Sequence, residues 1–177
     1  MKKRLTGILI CLSLISALSA LPLLQQNEWK QYSYAEDGFS ISAPVKPVFS
    51  TQNKETPAGT VELHNYAVEL GANSGVLISS TDFHQTKDVP ANVLLQGAKN
   101  GAVQALNAKI TSEKEITLAG NSGLEFAAQN DTFHMRSRMY MVKGRLLTLL
   151  AIAPISTPIP AESGRIFDSF RLVSASK

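Results

Sequence analysis

The sequence predicts an α+β fold in which a single antiparallel β-sheet has helices packed against it. Three observations lead to this expectation. Runs of alternating apolar and polar residues recur along the chain, which is the period-two pattern of half-buried strands. Turn signals such as Asp37-Gly38 and Lys143-Gly144 separate these runs. Two segments with helical signals each follow a proline, a residue that suits the first turn of a helix.

Two β-hairpins are expected in the first half of the chain. Alternating runs stand on both sides of Glu36-Asp37-Gly38, and Asp-Gly in that position is a strong hairpin signal. A second pair of runs, 60–70 and 76–80, is joined by the Gly- and Asn-containing segment 71–75. Residues 51–59 between the hairpins are polar, and they predict an exposed loop.

A helix is expected from Pro90 to Leu106, with Asp88 as its N-cap. Its apolar residues recur at spacings of three and four: Leu94, Ala98, Ala102 and Ala105. Gly97 and Gly101 add to a side of small residues that can approach a sheet closely. This helix is therefore predicted to cover the sheet.

The second half of the chain is richer in strands. Strands are expected over 109–118, 124–129, 132–142 and 145–153, followed by a short helix over 161–167 and a closing segment over 169–173. The strand 132–142 places Phe133, Met135, Met139 and Met141 on one side and His134, Arg136, Arg138 and Tyr140 on the other. The residues expected in the core are Phe133, Met139, Leu150 and Ile152.

The first nineteen residues have the three parts of a signal peptide. A basic start, Lys2-Lys3-Arg4, precedes an apolar run over 5–18, and Ala17 and Ser19 suit a cleavage site before Ala20. Residues 20–28 then form a spacer, and 29–175 form one domain. The alternative is an uncleaved anchor, because the apolar run continues weakly through 21–24. Both versions place the domain outside the cytoplasm, either periplasmic or secreted, or anchored in the inner membrane.

Charge and cysteine content exclude several classes of function. The chain carries 17 basic and 14 acidic residues, but Lys2, Lys3 and Arg4 belong to the targeting segment, so the domain itself is balanced. A balanced domain lacks the positive charge that binds nucleic acid. The only cysteine is Cys11, which lies inside the apolar run and not at a lipobox. The mature chain therefore has neither a disulfide nor a thiol nucleophile.

No motif of catalysis, metal binding or cofactor binding is present in the sequence. His64, His84 and His134 lack the close spacing of zinc ligands, which leaves only a composite site with Asp82 or Asp131. A nucleophile elbow and a glycine-rich phosphate loop are absent. Glu113 and Glu115 share a strand face and could be imagined as a catalytic carboxylate pair, but a solvated face explains them better. We expect no enzyme activity and no cofactor.

One strand face offers a candidate binding surface. His134, Arg136, Arg138 and Tyr140 alternate along the strand 132–142, and Arg145 lies at the turn after it. Arginine and tyrosine are enriched in protein interfaces because they combine apolar surface with hydrogen bonding. The alternative is a solubilising outer face of the sheet.

Several short motifs resemble those of a known family. They are Tyr34 with the segment 37–44 (Asp-Gly-Phe-Ser-Ile-Ser-Ala-Pro), the hairpin 136–151 and the terminal segment 167–172 (Phe-Asp-Ser-Phe-Arg-Leu). This pattern resembles the PsbP-like group, the fold shared by the photosystem II extrinsic protein PsbP, the envelope protein DcrB and the Ran-binding protein Mog1. The resemblance implies an α/β sandwich with a central antiparallel sheet and a binding role. The group has no shared catalytic motif to transfer, and this chain lacks the lipobox of the lipoprotein members.

These observations predict an exported, non-catalytic binding or assembly module of the cell envelope. The expected partner is an envelope protein or an anionic envelope component, and the module is expected to be a monomer. Contact with a membrane is expected only if the N-terminal segment stays uncleaved. The alternative functions are a small-ligand carrier or a hydrolase whose motif escapes detection.

Overall fold

The computed structural model describes residues 28–56, 59–83 and 89–174. The predicted signal peptide, the His84 side chain and the Asp88 N-cap lie outside the described residues. Ten strands and two helices are present in the described part: β1 Lys30–Tyr34, β2 Phe39–Ala43, β3 Val48–Thr56, β4 Gly59–Gly71, β5 Ser74–Asp82, α1 Ala91–Ala105, β6 Lys109–Leu118, β7 Asn121–Gln129, β8 Phe133–Val142, β9 Arg145–Pro154, α2 Ala161–Ser169 and β10 Arg171–Leu172. Both predicted hairpins and both predicted helices are confirmed within one or two residues.

The strands form two sheets, so the expectation of a single sheet is wrong. Seven antiparallel strands form the large sheet in the order β3-β4-β5-β9-β8-β7-β6, and β1-β2-β10 form a small sheet. The change of sheet occurs between β2 and β3, where Pro44 and Pro47 interrupt backbone pairing because proline has no N–H to donate. The C-terminal β10 then pairs with β2, with Arg171 opposite Ser40.

The segment predicted as an exposed loop is mostly strand β3. It pairs with β4 along its whole length, from Val48 opposite Ala67 to Thr56 opposite Gly59. Pairing between β4 and β5 begins only at Leu63, so the far end of the β3–β4 hairpin extends beyond the rest of the sheet as a two-stranded arm. Such an arm buries neither face, and therefore its sequence shows no apolar alternation.

The large sheet is covered on both faces, and each face has its own apolar core. The small sheet and α2 cover one face, where Phe39, Ile78, Leu149 and Ile166 are fully buried. Helix α1 covers the other face over β7 and β8, with Leu95, Phe126 and Met135 at its centre. Burying each such side chain contributes about 1.5–3 kcal/mol, so the two cores dominate the stability of the fold.

The predicted core is right for Met139 and wrong for the other three residues. Met139 is buried beneath α1, whereas Phe133, Leu150 and Ile152 are only half-buried. Leu150 and Ile152 lie on β9, at the border of the area that α1 covers, and Phe133 is the first residue of its strand. The helix spans only part of the sheet width, which the sequence pattern did not indicate.

Candidate binding surface

A buried carboxylate on β7 gathers three cationic side chains from neighbouring strands. Glu125 lies opposite Lys114 of β6 and Arg138 of β8, and all three point to the face that α2 covers. Its Oε1 lies 3.0 Å from Lys114 Nζ, and its Oε2 accepts hydrogen bonds from Arg138 Nε at 2.6 Å and from Arg136 at 2.8 Å. We call Glu125, Lys114, Arg136 and Arg138 the Glu125 cluster.

The charges of this cluster determine the ionisation of Glu125. Burial alone would raise the pKa of this carboxyl, but hydrogen bonds from Arg138, Lys114 and Arg136 outweigh burial and lower the pKa to about 2. Burial alone would lower the pKa of Arg138, but its hydrogen bonds to Glu125 and Asp168 raise it. Both groups are therefore charged at neutral pH.

Helix α2 lies over part of the predicted binding surface. The guanidinium carbons of Arg136 and Arg138 lie 5.8 and 5.5 Å from the centre of the buried Phe167 ring, and Arg138 also binds Asp168 at 3.0 Å. The exposed side-chain fraction is 64% for Lys114, 39% for Arg136 and 20% for Arg138. Solvent exposure therefore decreases from Lys114 through Arg136 to Arg138. Lys114 and Arg136 are open to solvent, whereas Arg138 packs against α2.

Tyr140, the fourth residue of the predicted surface, belongs to the core. Its ring is buried and stacks on Phe170 with centroids 6.1 Å apart and an interplanar angle of 11°. Burial raises the pKa of its hydroxyl. A Cβ at Gly123 would lie 2.5 Å from the Tyr140 ring, so glycine at this position makes room for the ring.

The structure does not bring His134 and Arg145 together. His134 donates a hydrogen bond from Nε2 to the Thr157 carbonyl at 2.7 Å. Arg145 lies opposite Val142 at the other end of β8 and donates to the Glu36 carbonyl. Eight residues at about 3.3 Å each separate the two ends by roughly 26 Å. The five predicted residues share one sheet face, but they do not form one contact site.

A second buried carboxylate lies where the β1–β2 turn meets the large sheet. Asp37 accepts a short hydrogen bond from the Tyr66 hydroxyl and a 2.9 Å bond from His64 Nδ1. Burial, and then the bond to Asp37, raise the pKa of Tyr66. We call Asp37, His64 and Tyr66 the Asp37 cluster. Because Asp37 lies in the turn that joins two strands of the small sheet and its partners lie on β4, the cluster links one sheet to the other.

Exposed apolar side chains near the Asp37 cluster were missed by sequence reasoning. Val48 and Phe49 begin the edge strand β3 and are 68% and 53% exposed, and the exposed Val45 precedes the strand. The Phe49 ring packs against those of His64 and Tyr66, with centroids 5.7 and 5.1 Å away. The signal in the sequence was two adjacent apolar residues, which place one side chain on each face of a strand.

Glu113, one of the two carboxylates considered from the sequence, is bound to side chains of helix α1. Glu113 binds Lys99 Nζ at 2.7 Å and the Gln96 amide at 2.8 Å, and these bonds lower its pKa. A general acid needs a raised pKa, and Glu113 shows the opposite. Among the described residues, no cluster of three or more His, Cys, Asp or Glu side chains is arranged to hold a metal ion. Within the same ranges, no helix has the length and apolarity to cross a membrane.

Comparison with solved structures shows a PsbP-like fold. The chain is similar to the solution structure of cyanobacterial PsbP (CyanoP) from Synechocystis sp. PCC 6803, with a TM-score of 0.58 and 12% sequence identity. The similarity covers 88% of this chain and 98% of the cyanobacterial one. No family model matches the sequence, and no curated protein does. At this identity the likeness shows the fold alone, and the resemblance to DcrB and Mog1 stays a prediction.

Proposed function

We propose that this chain is an exported, non-catalytic binding or assembly module of the cell envelope, and that Lys114 and Arg136 contact an acidic partner. The observation that carries the proposal is the composition of the Glu125 cluster. Its three cations contact two carboxylates: all three contact Glu125, and Arg138 also contacts Asp168 of α2. The two more exposed cations are Lys114 and Arg136. An excess of positive charge at a solvent-facing position favours an anionic partner.

The hydrogen-bonding capacity of Arg136 supports the same surface. A guanidinium has five N–H donors in a planar fork, and Arg136 directs one nitrogen to Glu125. The guanidinium carbon lies 5.8 Å from the centre of the Phe167 ring, and a cation–π contact of this kind reduces the side-chain entropy that is lost when a partner carboxylate binds. An acidic envelope protein therefore fits this surface better than an uncharged partner does.

Export is the second part of the proposal, and the order of residues 1–19 supports it. The mature domain is proposed to be periplasmic or secreted and monomeric. The alternative is a domain held at the inner membrane by an uncleaved N-terminal segment. N-terminal sequencing of the extracytoplasmic protein distinguishes these arrangements, and an intact Met1 in a cytoplasmic fraction contradicts both.

The binding surface is tested by affinity capture from an envelope extract with the mature domain as bait. The double variant Lys114→Ala, Arg136→Ala should lose the captured partner, and raised salt should weaken the capture by wild type. Lys54→Ala on the β3 arm is the matched control, since it removes an exposed lysine elsewhere. Capture that survives the double variant but fails with Phe49→Ala would assign binding to the surface around Phe49 and contradict the cationic surface.

A further inference from the structure

A cavity of about 300 Å³ lies between α1 and the β6–β7 hairpin, on the sheet face opposite the Glu125 cluster. Its floor is apolar, because Leu95 of α1 and Leu124 of β7 are both buried there. The size is at the lower end of the range for small-molecule sites. The cavity therefore suits a compact ligand that has an apolar part.

The wall on the sheet side is polar because of the strand register. Thr117 lies opposite Ser122 and Glu115 lies opposite Leu124, so the three polar side chains line the same side of the hairpin. Two hydroxyls and a carboxylate thus converge on a space with an apolar floor. The hydroxyls donate or accept hydrogen bonds, whereas the ionised carboxylate only accepts them.

The wall on the helix side consists of two carboxamides whose orientations are fixed. Gln96 donates to Glu113 at 2.8 Å and accepts a hydrogen bond from Lys99. The Asn92 side-chain oxygen accepts from the Val93 amide at 3.0 Å, which leaves its NH₂ group as a donor for a ligand. A ligand in the cavity would therefore meet preorganised groups, which lowers the entropic cost of binding.

The charge balance of the cavity is negative. Lys99 is the one cationic residue of α1, and it is buried with its Nζ 2.7 Å from a carboxylate oxygen of Glu113. Glu115 has no cationic partner among the described residues, so its charge remains available to a ligand. Glu115 is exposed at the rim of the cavity, where its carboxylate attracts a cation and repels an anion.

We propose that this cavity binds a small organic molecule with a protonated primary amine and one or more hydroxyl groups. The ammonium pairs with Glu115, the ligand hydroxyls bond to Thr117, Ser122 and Asn92, and the carbon skeleton lies on Leu95 and Leu124. The site adds small-ligand recognition to the proposed partner binding, and it uses neither Lys114 nor Arg136. The two proposals can therefore fail independently.

The test is an NMR titration of the isotope-labelled mature domain with two matched pairs of compounds. D-glucosamine and D-glucose differ by one ammonium in place of a hydroxyl, and so do 2-aminoethanol and ethylene glycol. Each amine should shift the backbone amides of residues 92, 96, 115, 117 and 122 saturably. It should bind about threefold more tightly than its neutral counterpart, as expected for an ion pair with an exposed carboxylate.

The variant Glu115→Gln keeps the shape of the side chain and removes its charge. It should abolish the preference for the amines, whereas the control Glu55→Gln on the β3 arm should retain it. Unchanged thermal unfolding of both variants shows that the fold is intact. The proposal is overturned if neither amine gives saturable shifts at these residues, if amine and neutral compound bind equally, or if Glu115→Gln binds as well as wild type.

Discussion

The Glu125 cluster and the Asp37 cluster each compensate a buried carboxylate, but with different kinds of partner. Each is built on a buried carboxylate, since Glu125 is 8% and Asp37 is 4% exposed, and an unpaired buried charge is costly. Glu125 is neutralised by three cations from two strands, Lys114 of β6 and Arg136 and Arg138 of β8. Asp37 is satisfied by a tyrosine hydroxyl and a histidine ring nitrogen from a single strand, β4.

In the Asp37 cluster the hydrogen-bond donors serve the packing of the fold, whereas the Glu125 cluster has exposed cations in excess over its carboxylate. The donors around Asp37 are directed inward and hold the β1–β2 turn against β4, with Arg145 reinforcing the same turn through the Glu36 carbonyl. The Glu125 cluster contains more positive than negative charges, and its outermost members stay exposed. A surface can bind a partner without loss of fold only where side chains are not all required for packing.

The largest effect is expected from Asp37→Ala. The change leaves the buried Tyr66 hydroxyl without its acceptor and removes the partner of His64, so the two sheets lose a contact in the interior. We expect the free energy of unfolding to fall by about 3 kcal/mol, measured by urea denaturation. Glu36→Ala is the matched control. The Glu36 side chain is exposed, and Arg145 donates its hydrogen bond to the Glu36 backbone carbonyl, which alanine retains. This substitution should change the free energy of unfolding by less than about 0.5 kcal/mol.

A smaller loss is expected from Arg138→Ala. This substitution breaks bonds to both Glu125 and Asp168 and uncovers one side of Phe167, so stability should fall by about 2 kcal/mol. Arg136→Ala on the same strand face should cost less than about 1 kcal/mol, because Arg136 is more exposed. Equal losses of unfolding free energy for the two variants would contradict the inference that Arg138 contributes more to packing than Arg136 does.

Local signals in the sequence were sufficient for hairpins and helices. Gly38 and the Lys143-Gly144 pair have positive φ angles, which is the backbone conformation that their turn signals predicted. The pairing of β2 with β10 joins opposite ends of the domain and leaves no local signature. For the same reason the sequence did not indicate which residues of the candidate surface are exposed. Alternation placed Arg136, Arg138 and Tyr140 on one face correctly, but only the position of α2 decides which of them meets solvent.

Acid should weaken the Glu125 cluster in a defined pH range. The folded-state pKa of Glu125 is lowered to about 2, below its ordinary value of 4.5, so its contribution to stability is present above pH 4.5 and is lost as the pH falls toward 2. A single proton limits the slope to about 1.4 kcal/mol per pH unit. Glu125→Gln, followed by thermal unfolding at several pH values, should lose this part of the acid sensitivity. An unchanged pH dependence would show that the three cations do not control this carboxyl.

The smallest effect on stability, and the most informative about function, is expected from Lys114→Ala. Lys114 is 64% exposed and contacts Glu125 from the solvent side, so its loss should change the free energy of unfolding by less than about 0.5 kcal/mol. Arg136 and Arg138 still neutralise Glu125 in this variant. The charge available to an acidic partner falls by one, and affinity for a partner captured by wild type should drop about tenfold, with a weaker salt dependence. Calorimetric titration of that partner measures both quantities. A variant that unfolds like wild type and binds with the same affinity and salt dependence would show that the positive excess of the Glu125 cluster serves solubility, and binding would then have to be sought at Val45, Val48 and Phe49.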